Sequence, residues 1–187
     1  MDKTVKLAKL GEQIVADRVA FDLAAQATQL VMGSGNPSAE IVLIGEAPGK
    51  REDETGQPFV GASGRFLDTM LAAAGLNRSD IYITNIVKYR PPNNRDPSKS
   101  EKAEFWPYLL RQIDIIDPQV IVTLGRHSGA MFVPDLQIAR DHGQPKVFEG
   151  RLVVPLYHPA AALYNGSMRQ TLIDDFCRVP GIIEQLN

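Results

Sequence analysis

Cysteine is almost missing from this sequence. Cys177 is the only one in 187 residues. No internal disulfide can form, and no set of thiolates is present to hold zinc or an iron–sulfur cluster. The run LIDDFC around Cys177 reads as a partly buried helix position. Long apolar runs are missing too. Nothing approaches the ~18 consecutive apolar residues of a membrane span. The N-terminal stretch MDKTVKLAKLGEQIVADR carries charges throughout and lacks the apolar core of a secretory signal. The expectation is a cytoplasmic protein that does not engage a membrane. Charge of one sign is not in excess: 20 Lys and Arg stand against 22 Asp and Glu, a net charge of −2. That argues against a chain-wide basic face for phosphates, though not against a local cleft. Lys88, Arg90, Arg95, Lys99 and Lys102 do form a locally basic stretch. There is no GxGxxG fingerprint, no Walker phosphate loop, no metal-ligand constellation, no internal repeat and no low-complexity segment.

The informative stretch is Gly45 to Leu67, GEAPGKREDETGQPFVGASGRFL. The apolar run Ile41–Ile44 precedes it and reads as a buried strand. The run from Phe66 to Ala74 follows it and reads as a helix. Between them lie five glycines, two prolines and several carboxylates, Glu46, Glu52 and Asp53 among them. Phe59 offers an apolar face in an otherwise polar loop. Backbone donors, carboxylates and one aromatic suit a site that clamps a small planar polar group and handles water or protons. Loops at a strand's carboxyl end are where open α/β sheets bind ligands.

Along the chain, the apolar spacing predicts a helix over 3–32, ended by Gly33-Ser34-Gly35-Asn36-Pro37. Strands are expected at 40–45, 81–87, 120–124 and 152–156. Helices are expected at 63–74, 98–116, 127–132 and 168–178, with Ser98 and Glu101 forming a capping box. Residues 133–150 read as irregular. The length and alternation predict one domain over 1–187, with the N-terminal helix packed on it. Its class is α/β, a three-layer α/β/α sandwich with a central, mostly parallel four-stranded sheet. In such a sheet Gly45-Glu46, Asn85, Gly125-Arg126 and His158 converge on one edge, although they lie far apart in sequence.

Four ordered motifs carry a resemblance: GEAPGKREDETGQPFVGASG; Ile83–Lys88 with Arg90-Pro91-Pro92-Asn93-Asn94-Arg95; Val122–Gly125; and Tyr157-His158-Pro159-Ala160-Ala161. From about Gly33 to the last helix the chain resembles the uracil-DNA glycosylase superfamily, and within it family 4, the thermostable bacterial and archaeal type. The resemblance implies a monofunctional glycosylase of base excision repair. It would bind DNA containing deoxyuridine, cut the N-glycosidic bond and release free uracil, after the base has left the stack. It implies that Asn85 reads the uracil edge, that Phe59 stacks on the ring and that the backbone of Ala47 touches the base. His158 would donate to the uracil oxygen as charge develops. Glu46, Glu52 or Asn94 would orient the water, because Ala47 stands where the best-known members carry an aspartate. Leu163, or else Tyr164, would fill the gap the base leaves. Ser63, Lys88, Arg90, Arg95 and Arg169 would meet phosphates. A monomer is the default expectation.

The chain also departs from that family. Family 4 holds a 4Fe–4S cluster on four cysteines. Arg18 and Phe21 stand at the first pair of positions, Tyr89 and Phe105 at the second. No cluster and no metal are therefore expected. Phe21, Tyr89, Phe105 and Trp106 are candidates for an apolar plug in its stead. A related type traps uracil-DNA covalently through a Lys-Arg-Arg-Ile-His insertion. Here Pro-Pro-Asn-Asn-Arg-Asp-Pro occupies that place, so trapping is not expected. The competing reading is a non-catalytic module of the same fold that binds uracil or abasic DNA.

Overall fold

The computed structural model of the chain describes residues 2–184. The ends of the expected domain, residue 1 and residues 185–187, lie outside the described residues. In chain order the elements are α1 (Lys3–Ala16), α2 (Phe21–Ala24), β1 (Ser34–Gly35), β2 (Ile41–Gly45), α3 (Lys50–Thr55), α4 (Ala62–Ala73) and β3 (Tyr82–Asn85). After a single 3₁₀ turn at Pro92–Asn94 come α5 (Lys99–Ile116), β4 (Val120–Leu124), α6 (Arg126–Phe132), α7 (Ile138–Asp141), β5 (Lys146–Phe148), β6 (Arg151–Leu156), α8 (Ala161–Tyr164), α9 (Gly166–Cys177) and α10 (Val179–Glu184).

The sheet has six strands in the order β1-β3-β2-β4-β6-β5, not four. The four expected strands form its parallel centre, β3-β2-β4-β6. The two additional strands are short and antiparallel, one at each edge. They are two and three residues long, too short for any period to betray them. The parallel centre is buried on both faces, which is why its strands are apolar runs rather than alternating ones. Val42 and Ile44 point to one core with Leu7, Ile14, Phe105, Leu109 and Ile113, and so to α1 and α5. Ile41 and Leu43 point to the other with Phe66, Leu67, Met70, Leu172 and Phe176, and so to α4 and α9. These are the three layers.

The expected helix over 3–32 is not continuous. It stops at Ala16, and Arg18 and Ala20 take left-handed backbone, φ 54° and 47°. Such a conformation costs roughly 1–2 kcal/mol per non-glycine residue. It is offset by the burial of Val19 and Ala20 and by a hydrogen bond from the Ala20 N–H to Glu104 Oε2 (2.8 Å). Neither partner is visible from local sequence. The loop after β2 contains the short helix α3, also unexpected. α5 follows its sequence signal closely: Glu101 N–H donates to Ser98 Oγ (3.1 Å) and Ser98 N–H to Glu101 Oε2 (2.6 Å). Cys177 is exposed, not partly buried.

Candidate active site

The carboxyl ends of β2, β3, β4 and β6 do converge. Gly45 is in register with Asn85. Just past β3, the N–H groups of Ile86 and Val87 donate to Gly45 O and Glu46 O (3.0 Å each), fixing Glu46 beside Asn85. Gly45 is required by space: a Cβ there would lie 2.4 Å from Asn85 Oδ1 and 2.6 Å from Phe59 Cζ. The missing side chain lets ring and amide share one wall.

Phe59 is buried, yet its φ is +52°, a strained value for a bulky residue. Arg78 holds it there. Its guanidinium donates to Pro58 O (3.1 Å) and to Phe59 O, and pairs with Asp68 (2.6 Å). Gly64 at the start of α4 completes the clamp, since a Cβ there would collide with Phe59 O at 1.7 Å. The Phe59 ring lies 5.9 Å from the His158 ring, inclined by 31°. With Glu46, Ser63, Asn85 and Tyr164, they line a cleft of about 570 Å³.

Two polar atoms on this cleft are buried without a hydrogen-bond partner, Asn85 Oδ1 and Glu46 Oε1. Such orphans cost free energy in a folded protein and call for a role. His158 has a defined tautomer. Ala160 N–H donates to His158 Nδ1 (3.1 Å), so the ring hydrogen sits on Nε2. Burial lowers its pKa to about 4. At neutral pH His158 is an uncharged donor. Glu46 moves the other way, to about 7, chiefly by burial and next by the nearby Asp96 carboxylate, against the opposing pull of Lys102 and Arg126.

His127 and Asp96, which the sequence did not single out, stand beside Glu46. His127 Nδ1 is 3.8 Å from Glu46 Oε1, and His127 Nε2 is 3.4 Å from Asp96 Oδ2. Burial lowers the His127 pKa, so these contacts are not ion pairs at neutral pH. Ligand atoms of Glu46, Asp96 and His127 all lie within 4.8 Å of one another, the place among the described residues where a metal ion would find three ligands. Arg78, Asp96 and His127 were all missed. Arg78 had no local signal at all, since its partners lie ten to twenty residues upstream.

The structure divides the other expected site residues. Ala47 and Asn94 line the cleft with Glu46. Asn94 Oδ1 accepts from Arg90 Nε (2.8 Å), tying that arginine to the rim. Arg95 is exposed but pairs with Glu101 (2.6 Å), whose carboxyl this bond holds at about 2. Arg169 lies over the Phe66 ring at 4.7 Å. Leu163 and Tyr164 sit exposed on α8, Tyr164 at 91%. Two expectations need correction. Glu52 is not free for water: Oε1 accepts from Val60 and Gly61 N–H (2.9 and 2.8 Å) and Oε2 from Gly49 N–H (3.1 Å). It pins the loop to α3. Lys88 meets no phosphate, because its side chain is wholly buried; the short β3 ends at Asn85, and the turn beyond it carries Lys88 inward. Asp53 is likewise structural, accepting from Thr28 N–H and Oγ1 (2.8 Å each).

The residues at the four positions expected for cluster cysteines do not fit iron. Tyr89 packs edge-on against Phe105 (centroids 5.9 Å). Arg18 lies over the Phe21 ring at 4.1 Å, and none of the four offers a thiolate or an imidazole. The expected four-aromatic plug is only half present: Phe21 is 50% exposed, and Trp106 turns away to Phe132 and Phe148.

An aromatic wall, an amide with an orphan acceptor and an uncharged imidazole donor, set in a cleft of this size, make a receptor for a flat polar heterocycle. The sequence comparisons agree with that class. The profile of the Uracil DNA glycosylase superfamily matches residues 32–178, and the chain belongs to that superfamily. It is 48% identical over 162 residues to the type-4 uracil-DNA glycosylase of Sulfurisphaera tokodaii, covering 81% of this chain and 74% of the relative. It is 47% identical over 170 residues to that of Archaeoglobus fulgidus, covering 84% of each. Against that of Thermotoga maritima it is 40% identical over 182 residues, covering 92% and 95%.

Proposed function

We propose that this chain is a uracil-DNA glycosylase that removes uracil from DNA by hydrolysis, without an iron–sulfur cluster. The observation that carries the reading is the pair of orphaned atoms, Asn85 Oδ1 and Glu46 Oε1, on a cleft walled by Phe59 and His158. A uracil turned out of the duplex stacks on Phe59 and offers its N3–H to Asn85 Oδ1. The same amide's NH₂ donates to a ring carbonyl, and cytosine, with no N3–H, is disfavoured. The C1′–N1 bond then breaks with its electron pair leaving on the base. His158 Nε2–H donates to the oxygen where that charge gathers, at no cost in deprotonation. The sugar is left cation-like. Water adds at C1′, and Glu46, with a pKa near neutrality, orients it and takes its proton.

Binding to DNA is assigned to the exposed residues around the cleft. Leu163 and Tyr164 on α8 are the candidates to fill the vacated stack, and Arg90, Arg95, Arg169 and Ser63 the candidates for phosphate. Among the described residues no helix is long and apolar enough to cross a membrane. The protein acts as a monomer in the cytoplasm on this reading. The test is abasic-site formation and uracil release on a uracil-containing oligonucleotide, in EDTA, with Asn85→Ala and His158→Ala alongside. Release by the wild type and its loss in both variants is the expected result. Tight binding of uracil-DNA without release by the wild type would overturn it in favour of a non-catalytic binding module.

A further inference from the structure

Lys88 is fully buried, and the mechanism above does not use it. Its Nζ donates to Thr84 Oγ1 (2.6 Å), Gln112 Oε1 (2.6 Å) and the backbone oxygen of Asn85 (2.7 Å). No carboxylate is among its partners. A lysine buried without a counter-charge is costly, and burial pushes its pKa well below the usual value.

The surroundings oppose that push. Each of the three partner atoms is an oxygen whose neighbouring hydrogens are directed elsewhere. The Thr84 hydroxyl donates to Met32 O (2.9 Å). The Gln112 amide nitrogen donates to Met32 O (2.9 Å) and Tyr82 Oη (3.2 Å). Three acceptors around one nitrogen match the three hydrogens of an ammonium. A neutral amine would turn its lone pair towards an oxygen lone pair unless the Thr84 hydroxyl left Met32. The cradle is therefore built for the charged form.

Its position gives that charge a use. The carbonyl it grips belongs to Asn85, whose side chain reads the base. Uracil leaves as an anion, and a fixed cation in a low-dielectric interior stabilises that anion far more than the same charge in water would.

We propose that Lys88 is a positioning residue for the glycosylase reaction, a buried ammonium that locks Asn85 at the end of β3 and lowers the energy of the departing uracil anion from behind the base pocket. The inference rests on the glycosylase reading of the same cleft. It adds an electrostatic role for a residue that cannot touch substrate.

Two variants and two substrates test it. Lys88→Met removes the charge. Gln112→Glu keeps the lysine and sets a carboxylate against it, while giving up the two bonds the amide nitrogen donates to Met32 O and Tyr82 Oη. Each is measured in single turnover on DNA carrying deoxyuridine and on DNA carrying 5-fluorodeoxyuridine, whose base leaves as a more stable anion. The expected result is a loss of about tenfold in the chemical step on deoxyuridine for both variants, below the hundredfold or more of a donor touching the charge. The loss should be clearly smaller on the fluorinated base, with the concentration for half-maximal rate little changed. If Lys88→Met does not fold, the rates of Gln112→Glu on the two bases decide between the outcomes. Equal losses on both bases, or none, would overturn the electrostatic role. A wild type that releases neither base would sink the glycosylase reading and this inference together. A wild type that releases both, with indifferent variants, would sink this inference alone.

Discussion

Glu46 and Glu52 stand six residues apart in one loop and face one cleft, yet their environments are opposite. Glu52 accepts three backbone hydrogen bonds and spans the loop from Gly49 to Gly61. Glu46 has an oxygen buried with no partner and a pKa raised to about 7. The first carboxylate is satisfied by the protein and so holds the loop. The second is left unsatisfied, and the protein carries that cost for a group that must exchange protons with a substrate. Between two residues of one type in one loop, the distribution of hydrogen bonds separates scaffold from chemistry.

The comparison breaks first, and by most, at Glu46→Gln. The rate of uracil release should fall by about 10²–10⁴ in single-turnover assays, the range for losing a general base. The same variant should be the more stable protein at alkaline pH. The sign follows from the raised pKa. Between 4.5 and about 7 the unfolded chain gives up the Glu46 proton while the folded one retains it, so stability is lost as pH rises through that window. Removing the charge should recover about 1–2 kcal/mol at pH 8 by denaturant titration. A Glu46→Gln protein that is equally active, or less stable at pH 8, would remove Glu46 from the chemistry.

Glu52→Ala should behave in the opposite way. It strands three N–H groups and should cost about 2–4 kcal/mol of stability, read as a fall in the urea midpoint at unchanged slope. Its loss of activity should track the loosened loop and be partly restored by lower temperature, which Glu46→Gln would not show. The third test is pH. Release should drop as pH falls below about 7, with Glu46 protonation, while His158, already uncharged above about 4, adds no second limb near neutrality. An acid limb near 5 would mean that another group is the base. The smallest effect belongs to Arg95→Ala on the rim. Its solvent-screened pair with Glu101 contributes little to stability, and a phosphate contact would appear only as a salt dependence of DNA binding reduced by about one unit of slope.

Much of the parallel centre was legible, because apolar runs such as Ile41–Ile44 and Val120–Leu124 announce strands buried on both faces. α5 was legible from Ser98 and Glu101, since capping is a bond between neighbours in sequence. The helix expected over 3–32 was not, because its break at Arg18 and Ala20 depends on a bond to Glu104, far along the chain. In the site, Asn85, Phe59 and His158 were found from strand ends and motifs. Lys88 was misassigned to the surface because a lysine after a strand looks solvated, and only the fold supplies the three oxygens that surround it. Asp96, His127 and Arg78 left no local trace.

The sequence by itself determined the four central strands and the edge on which the functional groups meet, because those follow from hydrophobic period and chain direction. It also determined that no cysteine set exists for a cluster. The tertiary structure decided which polar groups are bonded and which are not: Glu52 satisfied, Glu46 orphaned, Lys88 caged. Solvation and hydrogen bonding depend on neighbours brought together in space, and those two quantities set the charge state of every group the chemistry uses.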